Sequence, residues 1–173
     1  LIPIASHELA RGRRAWSNGG GLSAACAFDG DMSTRWGAKN NSYPYYIAVD
    51  LGRQCRVTSA KINWYKQNER CYGYKIYESD DGASFSLIAD RSDNKSFGET
   101  EDCFSSCARY YKIEVTGCSN AAGHASINEI ELFGSGEIAC GADSFSNEIT
   151  DVQNPRSCFA SGGTLASNPA RLA

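Results

Sequence analysis

The chain alternates apolar and polar residues along several short stretches, and this pattern limits its possible folds most strongly. From Val57 to Tyr65, Ile62 and Trp64 fall on the same side of the alternation. From Tyr72 to Glu78, aromatic or apolar residues again occupy every second position. A period of two residues directs successive side chains to opposite faces of a β-strand. Both stretches are therefore predicted to be strands with one buried face.

Further stretches share this character: Tyr45 to Gly52, Phe85 to Ile88, Arg109 to Thr116 and Ile127 to Phe133. The segment Ser79-Asp80-Asp81-Gly82 is typical of a tight turn between two strands. No stretch of about ten or more residues combines a 3.6-residue apolar period with helix caps. We therefore predict an all-β protein, an antiparallel β-sandwich of the jelly-roll type.

The alternation stops after Gly134, where Gly, Ser, Asn, Ala and Pro become frequent. We predict one domain over residues 1–134 and a linker or tail over residues 135–173. Cys140 and Cys158 both fall in this tail. We expect a disulfide between them to staple it.

Eight cysteines in 173 residues indicate a chain made for an oxidising compartment. We expect most of them to be bridged, although their spacing leaves the connectivity open. A zinc site is disfavoured because the closest pair is Cys103-x-x-x-Cys107, while His7 and His124 lie near opposite ends. The sequence thus predicts a secreted protein with disulfides.

The balance of charge disfavours some partners. With 17 basic and 20 acidic side chains the formal net charge is -3, which gives no basic excess for nucleic acid. No apolar run approaches the roughly 18 residues that a membrane-spanning helix needs. The opening Leu1-Ile2-Pro3-Ile4 lacks the basic flank and length of a signal peptide, so we expect any export signal to have been removed. We expect a soluble, monomeric module with neither nucleic-acid nor membrane partners.

Five motifs follow one another along the chain. They are Ala27-Phe28-Asp29-Gly30-Asp31-Met32-Ser33-Thr34-Arg35-Trp36, Val49-Asp50-Leu51-Gly52, Tyr74-Lys75-Ile76-Tyr77 with its turn, Arg109-Tyr110-Tyr111-Lys112-Ile113, and Asn128-Glu129-Ile130-Glu131-Leu132-Phe133-Gly134. In this order they resemble the discoidin, or coagulation factor five/eight type C, superfamily over about residues 5–134. The likeness is nearest in kind to galactose-binding-like carbohydrate-binding modules. It implies a jelly roll that binds a sugar or polysaccharide through loops at one end, without catalysis.

The first motif crowds carboxylate, glycine and hydroxyl groups into one turn, and calcium prefers about six to eight oxygen ligands. The resemblance implies a structural calcium ion at this turn. The predicted site comprises the side chains of Asp29 and Thr34, the carbonyls of Cys26 and Asp31, the carboxylate of Glu129, and its neighbour Asn128. The alternative is an Asx turn whose aspartates cap their own backbone without a metal.

The three tryptophans are predicted to lie in the core rather than to stack on a sugar. In relatives, the tryptophan that corresponds to Trp36 lies below the loop. A buried indole contributes a large apolar area. We extend the same interpretation to Trp64 and Trp16.

Loops on a rigid sandwich can carry ligand-binding groups without disturbing the core. The predicted loops are residues 37–44, 66–70, 91–107 and 117–124. The second loop combines the donors and acceptors that sugar hydroxyls require. The candidate ligand-binding residues are Lys39, Tyr43, Lys66, Asn68, Glu69, Arg70 and Phe97, with Tyr43 or Phe97 as a stacking wall.

Two ligand classes remain open. In galactose-binding relatives a histidine follows the loop tryptophan, whereas Gly37 stands here. Lys39, Lys66 and Arg70, with Arg35 nearby, suit an acidic polymer of uronic acids, although Glu69 opposes a purely anionic ligand. We expect the chain to be part of a larger secreted polysaccharide-active protein.

The alternative function is an adhesion-type discoidin domain, or a free-standing lectin, that binds a cell-surface glycan, a protein or a membrane. An enzyme is disfavoured because the sequence shows neither a nucleophile with a base nor paired carboxylates at a recognisable spacing.

Overall fold

The computed structural model describes residues 5–136, which form eight β-strands and one short 3₁₀ helix. The strands are β1 (His7–Glu8), β2 (Arg14–Ser17), β3 (Trp36–Gly37), β4 (Tyr45–Trp64), β5 (Tyr72–Ser79), β6 (Ser86–Arg91), β7 (Thr100–Cys118) and β8 (Ser126–Gly136). The helix, Ala24–Ala27, lies between β2 and β3. The prediction of an all-β fold is confirmed.

Two long strands bend sharply and connect the two layers of the sandwich. The stretches predicted as separate strands before and after Gly52 are one strand, β4. The pairing of β4 with β7 is regular up to Asp50 and resumes at Cys55, which pairs with Ala108. Gly52 lies in this gap with a φ of +83°, a left-handed conformation that suits glycine. The interruption forms the corner at which both strands pass from one layer to the other.

Each half of β4 and β7 belongs to a different antiparallel layer. The first layer runs in the order β2, β4, β7, β5, β6 and uses the first half of β4 and the second half of β7. In the second layer, the second half of β4 lies between β8 and the first half of β7, and β1 and β3 pair with β8. This arrangement is the predicted jelly-roll sandwich.

The core lies between the layers. Ile47, Ile76 and Val115 from the first layer and Ile62 and Leu132 from the second are each fully buried. Burial of side chains of this size stabilises a fold by roughly 1.5–3 kcal/mol each.

Trp36 and Trp64 also lie in the core, at 0% and 1% exposed, as predicted. The Trp64 ring stacks on Tyr72 with 4.8 Å between ring centroids.

Trp16 was predicted to be a core residue and is not. On the short strand β2, its neighbour Ala15 packs against the core, so the alternation directs Trp16 to the outer face, where it is half-buried.

The predicted loop 91–107 is also too long, because residues from Thr100 onward belong to β7 and pair with β4. The last strand reaches Gly136, two residues past the predicted domain boundary at residue 134.

The bend of β4 brings its two ends to the same end of the sandwich. Tyr45 pairs with Val115, which also pairs with Tyr74, and the ring of Tyr74 lies 5.1 Å from that of Trp64. The connections 38–44, 65–71, 92–99 and 119–125 therefore open at one end, which we call the loop end. Within residues 5–136 no helix is both long and apolar enough to span a membrane.

Four of the described cysteines carry free thiols: Cys26, Cys55, Cys71 and Cys118. The expectation that most of the eight cysteines are bridged is therefore not supported by the structure. The predicted bridge between Cys140 and Cys158 lies outside the described residues.

Candidate functional site

The loop end is held together by hydrogen bonds between its connections. In the pair formed by 38–44 and 119–125, Asn41 Nδ2 donates to the carbonyl of Ala121 at 2.8 Å, and the hydroxyl of Tyr43 donates to that of Gly123 at 2.6 Å. Bonds of this kind between loops reduce the freedom of each loop. Both connections are therefore fixed relative to each other.

The connection 65–71 is joined to its neighbours in the same way. The amide of Gly98 donates to the carbonyl of Gln67 at 2.8 Å, which attaches the connection 92–99. The amide of Cys71 donates to the hydroxyl of Ser119 at 2.9 Å, which attaches 119–125. All four connections thus form one continuous polar surface.

Three cations surround one aromatic ring at this surface. The guanidinium carbon of Arg35 lies 3.8 Å from the ring centroid of Tyr65, that of Arg70 lies at 5.6 Å, and the ammonium of Lys66 lies at 5.9 Å. Cations at such distances from a ring centroid are attracted by the electrons of its face. We call these four residues the basic cluster.

Two guanidiniums of the basic cluster lack a carboxylate partner. Arg35 and Arg70 make no ion pair within residues 5–136, and the Nε atom of each is buried without a hydrogen-bond acceptor. Lys66 pairs with Glu69 at 3.5 Å, but both side chains are exposed, so this pair contributes little to stability. A buried cationic donor without an acceptor is unfavourable unless a ligand supplies one.

The structure brings together several predicted ligand-binding residues. Lys66, Glu69 and Arg70 lie in one short turn in which the amides of Glu69 and Arg70 both donate to the carbonyl of Lys66. Asn68 is exposed in the same turn. Phe97 is 59% exposed and precedes Gly98, which bonds to this connection, so its ring is at the edge of the same surface.

Tyr43 and Lys39, both predicted to contact the ligand, make contacts elsewhere in the structure. Tyr43 is half-buried, packs against the core and uses its hydroxyl to hold Gly123, so it is a structural support rather than a free stacking wall. Burial also raises the pKa of its phenol. The stem of Lys39 lies against Gly20, which is not part of the basic cluster.

Tyr65, the ring at the centre of the basic cluster, is not among the site residues that the sequence predicts. It ends a predicted strand, and its position between Trp64 and the loop is the signal that points to it. Alternation directs Trp64 inward and therefore Tyr65 outward.

A second group of polar atoms, which we call the oxygen cluster, lies at residues 26–34. The hydroxyl of Thr34 has three oxygens within reach: Asp29 Oδ2 at 2.7 Å, the carbonyl of Asp31 at 2.9 Å and the carbonyl of Cys26 at 3.2 Å. A hydroxyl has one proton, so it cannot satisfy all three acceptors at once. Oxygens that converge in this way provide the ligands that a hard cation prefers.

Glu129 reaches the oxygen cluster from β8. It is 2% exposed, its Oε1 accepts from the amide of Gly30 at 3.1 Å, and its Oε2 has no partner. Burial, with the nearby charge of Asp29, raises the pKa of Glu129 to about 7. A buried carboxylate oxygen without a donor fits a metal ligand.

Two details qualify the predicted metal ligands. The side chain of Asn128 donates to Asn63 and so does not join the oxygen cluster. The carboxylate of Asp31 accepts from Ser33, which lowers its pKa, so only the carbonyl of Asp31 faces the Thr34 hydroxyl in the oxygen cluster. Over residues 5–136 no three His, Cys, Asp or Glu side chains converge, so a cation here would depend on carbonyl and hydroxyl oxygens as well.

Two concavities lie away from the loop end. One, of about 290 Å³, is lined by Glu78, Asp80 and Asp81 among others, and the second, of about 480 Å³, by Arg11, Arg13 and other residues. Neither includes a residue of the basic cluster.

A jelly roll with a polar loop end beside an oxygen cluster defines a β-sandwich binding module. The family model for the F5/8 type C domain matches residues 5–130. The chain belongs to this family, as the resemblance implied. No curated protein matches the sequence.

Solved structures of carbohydrate-binding modules are similar to this chain. Chitosan-binding module 1 of a chitosanase/glucanase from Paenibacillus sp. IK-5 is 28% identical, with a TM-score of 0.63 over 74% of this chain and 99% of that module. A truncated AlyQ with CBM32 and alginate lyase domains is 28% identical, with a TM-score of 0.67 over 80% of this chain and 36% of that protein.

A third structure, the family 32 module from C. perfringens NanJ in complex with galactose, shares the fold. It is 22% identical, with a TM-score of 0.64 over 75% of this chain and 99% of that module.

Proposed function

We propose that this chain is a non-catalytic carbohydrate-binding module whose loop end holds the sugar. The observation that carries the proposal is the basic cluster, in which Arg35, Lys66 and Arg70 surround Tyr65. Guanidinium and ammonium groups donate hydrogen bonds to sugar oxygens, and an aromatic ring offers an apolar surface for pyranose C–H groups. Similarity to modules that bind chitosan supports the same function.

The ligand class that the basic cluster favours is an acidic sugar. Because Arg35 and Arg70 make no ion pair within residues 5–136, a ligand carboxylate would pair with their guanidiniums through charge-assisted hydrogen bonds. Glu69, the carboxylate of this turn, is exposed and paired with Lys66, so it does not cancel the charge of the two arginines. The CBM32 of AlyQ, 26% identical, is known in complex with 4,5-unsaturated mannuronic acid.

A neutral galactose-type ligand has less support from this chain. At the position where galactose-binding relatives have a histidine, Gly37 is buried and pairs with Ser126 on β8. It supplies no side chain to a ligand. A neutral sugar would also leave the two buried guanidinium donors without an anionic partner.

Calcium belongs to the same proposal. Asp29, Thr34 and Glu129 would bind it through side chains, and Cys26 and Asp31 through carbonyls. The unpartnered Oε2 of Glu129 and the crowding around the Thr34 hydroxyl support this assignment. The ion would hold the 29–34 turn against β8 and so stabilise the folded state.

We further propose that the module is extracellular and belongs to a polysaccharide-active protein. The similarity to modules of a chitosanase/glucanase and of an alginate lyase supports this role. Attachment to an insoluble or polymeric substrate is the benefit that such a module gives to a catalytic domain.

The test is a titration of the protein with neutral and uronic-acid oligosaccharides, with and without calcium. We expect uronic-acid binding at roughly 10–1000 μM, because an open site buries few atoms. Affinity should fall as salt rises, since exposed charges are screened. Binding to galactose alone, without salt dependence, would contradict the acidic assignment.

The same experiment separates the alternative functions. Phospholipid vesicles are added in place of sugar, because Leu22 and Phe97 are exposed large apolar residues that could contact lipid. Binding to vesicles without binding to any sugar would replace the proposed function with the adhesion-type alternative.

A further inference from the structure

The outer face of the first layer carries an aromatic row that the loop-end site does not use. Register places Trp16, Ala48, Lys112, Tyr77 and Leu87 side by side on neighbouring strands β2, β4, β7, β5 and β6. Residues directly opposite one another across a sheet point to the same face. We call this set the sheet-face row.

Four of the five residues of the sheet-face row are accessible to solvent, while Ala48 is 1% exposed. Leu87 is 50% exposed, and Trp16, Lys112 and Tyr77 are half-buried, whereas the alternate residues of the same strands form the core. Tyr110 packs edge-to-face against Trp16, with 6.2 Å between centroids. The face is therefore unusually rich in aromatic rings for the solvent side of a sheet.

Lys112 lies at the centre of this face. Its ammonium is 4.3 Å from the ring centroid of Phe85, 4.6 Å from that of Tyr77 and 5.5 Å from that of Tyr46. Within residues 5–136 it makes no ion pair. Arg14, over the Trp16 ring at 5.6 Å, also makes none there. Two cations thus lie among the rings, Lys112 without an ion pair in the described part of the chain and Arg14 opposite Asp50, whose carboxyl pKa the charge of Arg14 helps to lower.

The size of the face limits its occupant. Five strands about 4.8 Å apart give the face a length of about 19 Å. Three successive outward positions along each strand, about 7 Å apart, give it a width of about 14 Å. The resulting area of about 270 Å² is well below the roughly 800 Å² that each partner of a stable protein complex buries. A charged residue at the centre also differs from the charge-depleted core of a protein interface.

We propose that the sheet-face row is a second glycan-binding surface, which takes one extended acidic polysaccharide chain lying across the strands. Apolar sugar faces contact Trp16 and Tyr77, and Lys112 and Arg14 bind carboxylates of the same chain. The surface is separate from the loop end, so a polymer that reaches both sites gains affinity, whereas a short oligosaccharide does not.

The test compares alginate polymer with an alginate tetrasaccharide in the intact chain. Polymer binding is measured by mobility in gels that contain alginate, and tetrasaccharide binding by calorimetry. We expect Tyr77→Ala and Lys112→Met to weaken polymer binding by about tenfold each and to leave tetrasaccharide binding unchanged. Arg70→Ala should abolish tetrasaccharide binding and leave residual polymer binding.

Leu87→Glu is the variant that is safest for folding, because Leu87 is half exposed and a new negative charge there repels an acidic polymer. Ser105→Glu, exposed on the other layer, adds the same charge as its control. Polymer binding at the parental level in Leu87→Glu would overturn the proposal, as would complete loss of polymer binding in Arg70→Ala. Neither result affects the loop-end assignment, which the tetrasaccharide decides.

Discussion

The guanidinium of Arg35 lies 3.8 Å above the ring of Tyr65 and connects the loop-end site to the oxygen cluster. Thr34, the residue before Arg35, places its hydroxyl among the cluster oxygens, and Trp36, the residue after it, is fully buried. Arg35 therefore has little freedom to move independently of either neighbour. Order in the 29–34 turn and order in the basic cluster should depend on each other.

The first prediction concerns the stacked arginine. Arg35→Ala should weaken binding of a uronic-acid oligosaccharide by about tenfold or more, because it removes a charge-assisted donor and a face contact together. Arg35→Lys should recover only part of the loss, since an ammonium cannot form the planar, bidentate contact. Calorimetry at low salt measures both.

Lys39→Ala is the matched control, because Lys39 is an exposed cation of the loop end whose stem lies against Gly20. Its affinity should equal that of the parent. Equal weakening by Lys39→Ala and Arg35→Ala would show a general charge effect rather than a defined site.

The second prediction concerns calcium. At a calcium concentration about 100-fold above its dissociation constant, the folded state should gain roughly 2.7 kcal/mol, equivalent to a rise in Tm of about 5–10 °C. Glu129→Gln should remove this rise, because the buried carboxylate that closes the site is lost. Thermal melts with calcium and with chelator measure the difference.

Glu131→Gln removes a neighbouring charge on the same strand and should keep the calcium response. If the Tm of the parent protein is the same with calcium and with chelator, the metal assignment is refuted. If calcium binds, chelation should also weaken sugar binding through Arg35.

The third prediction concerns acid stability at the corner of the sandwich. Arg109 donates to both oxygens of Asp50, at 2.7 and 2.9 Å, and these bonds hold the pKa of Asp50 below its ordinary value of 3.8. Because the pKa is depressed in the folded state, the stabilisation is present above pH 3.8 and is lost as pH falls through the folded pKa.

Asp50→Asn should therefore cost about 1–2 kcal/mol at neutral pH and much less near about pH 2. Urea unfolding at the two pH values tests this. Asp90→Asn, which breaks a longer and more exposed pair with Lys75, should cost far less at neutral pH. An equal cost of Asp50→Asn at both pH values would exclude ionisation of Asp50 as the cause.

The fourth prediction concerns the thiols. Alkylation of the unreduced protein should label Cys26 and Cys118 in the folded state, because both are partly exposed, and Cys55 and Cys71 only after unfolding. Mass measurement before and after denaturation counts the labels. Labels on two or fewer cysteines after denaturation would support the disulfide-rich chain expected from composition instead.

The sequence alone determined the strands, most of their inward residues and the family. Ile62, Trp64 and Ile76 could be placed in the core because alternation is local and each strand carries it independently. The residues of the oxygen cluster could be identified for a different reason, since the motif around Asp29 and the motif around Glu129 occur in the order of a known family.

Only the tertiary structure decided which loops meet and which side chains remain without partners. The bend of β4 and β7 at Gly52 depends on pairing between distant segments, so no local pattern separates one bent strand from two straight ones. Tyr65 belongs to the basic cluster because Arg35, thirty positions earlier in the chain, stacks on its ring. Trp16 lies outside the core because β2 is an edge strand. The outward direction of its side chain is set by the pairing of β2 with β4 rather than by the hydrophobicity of the indole.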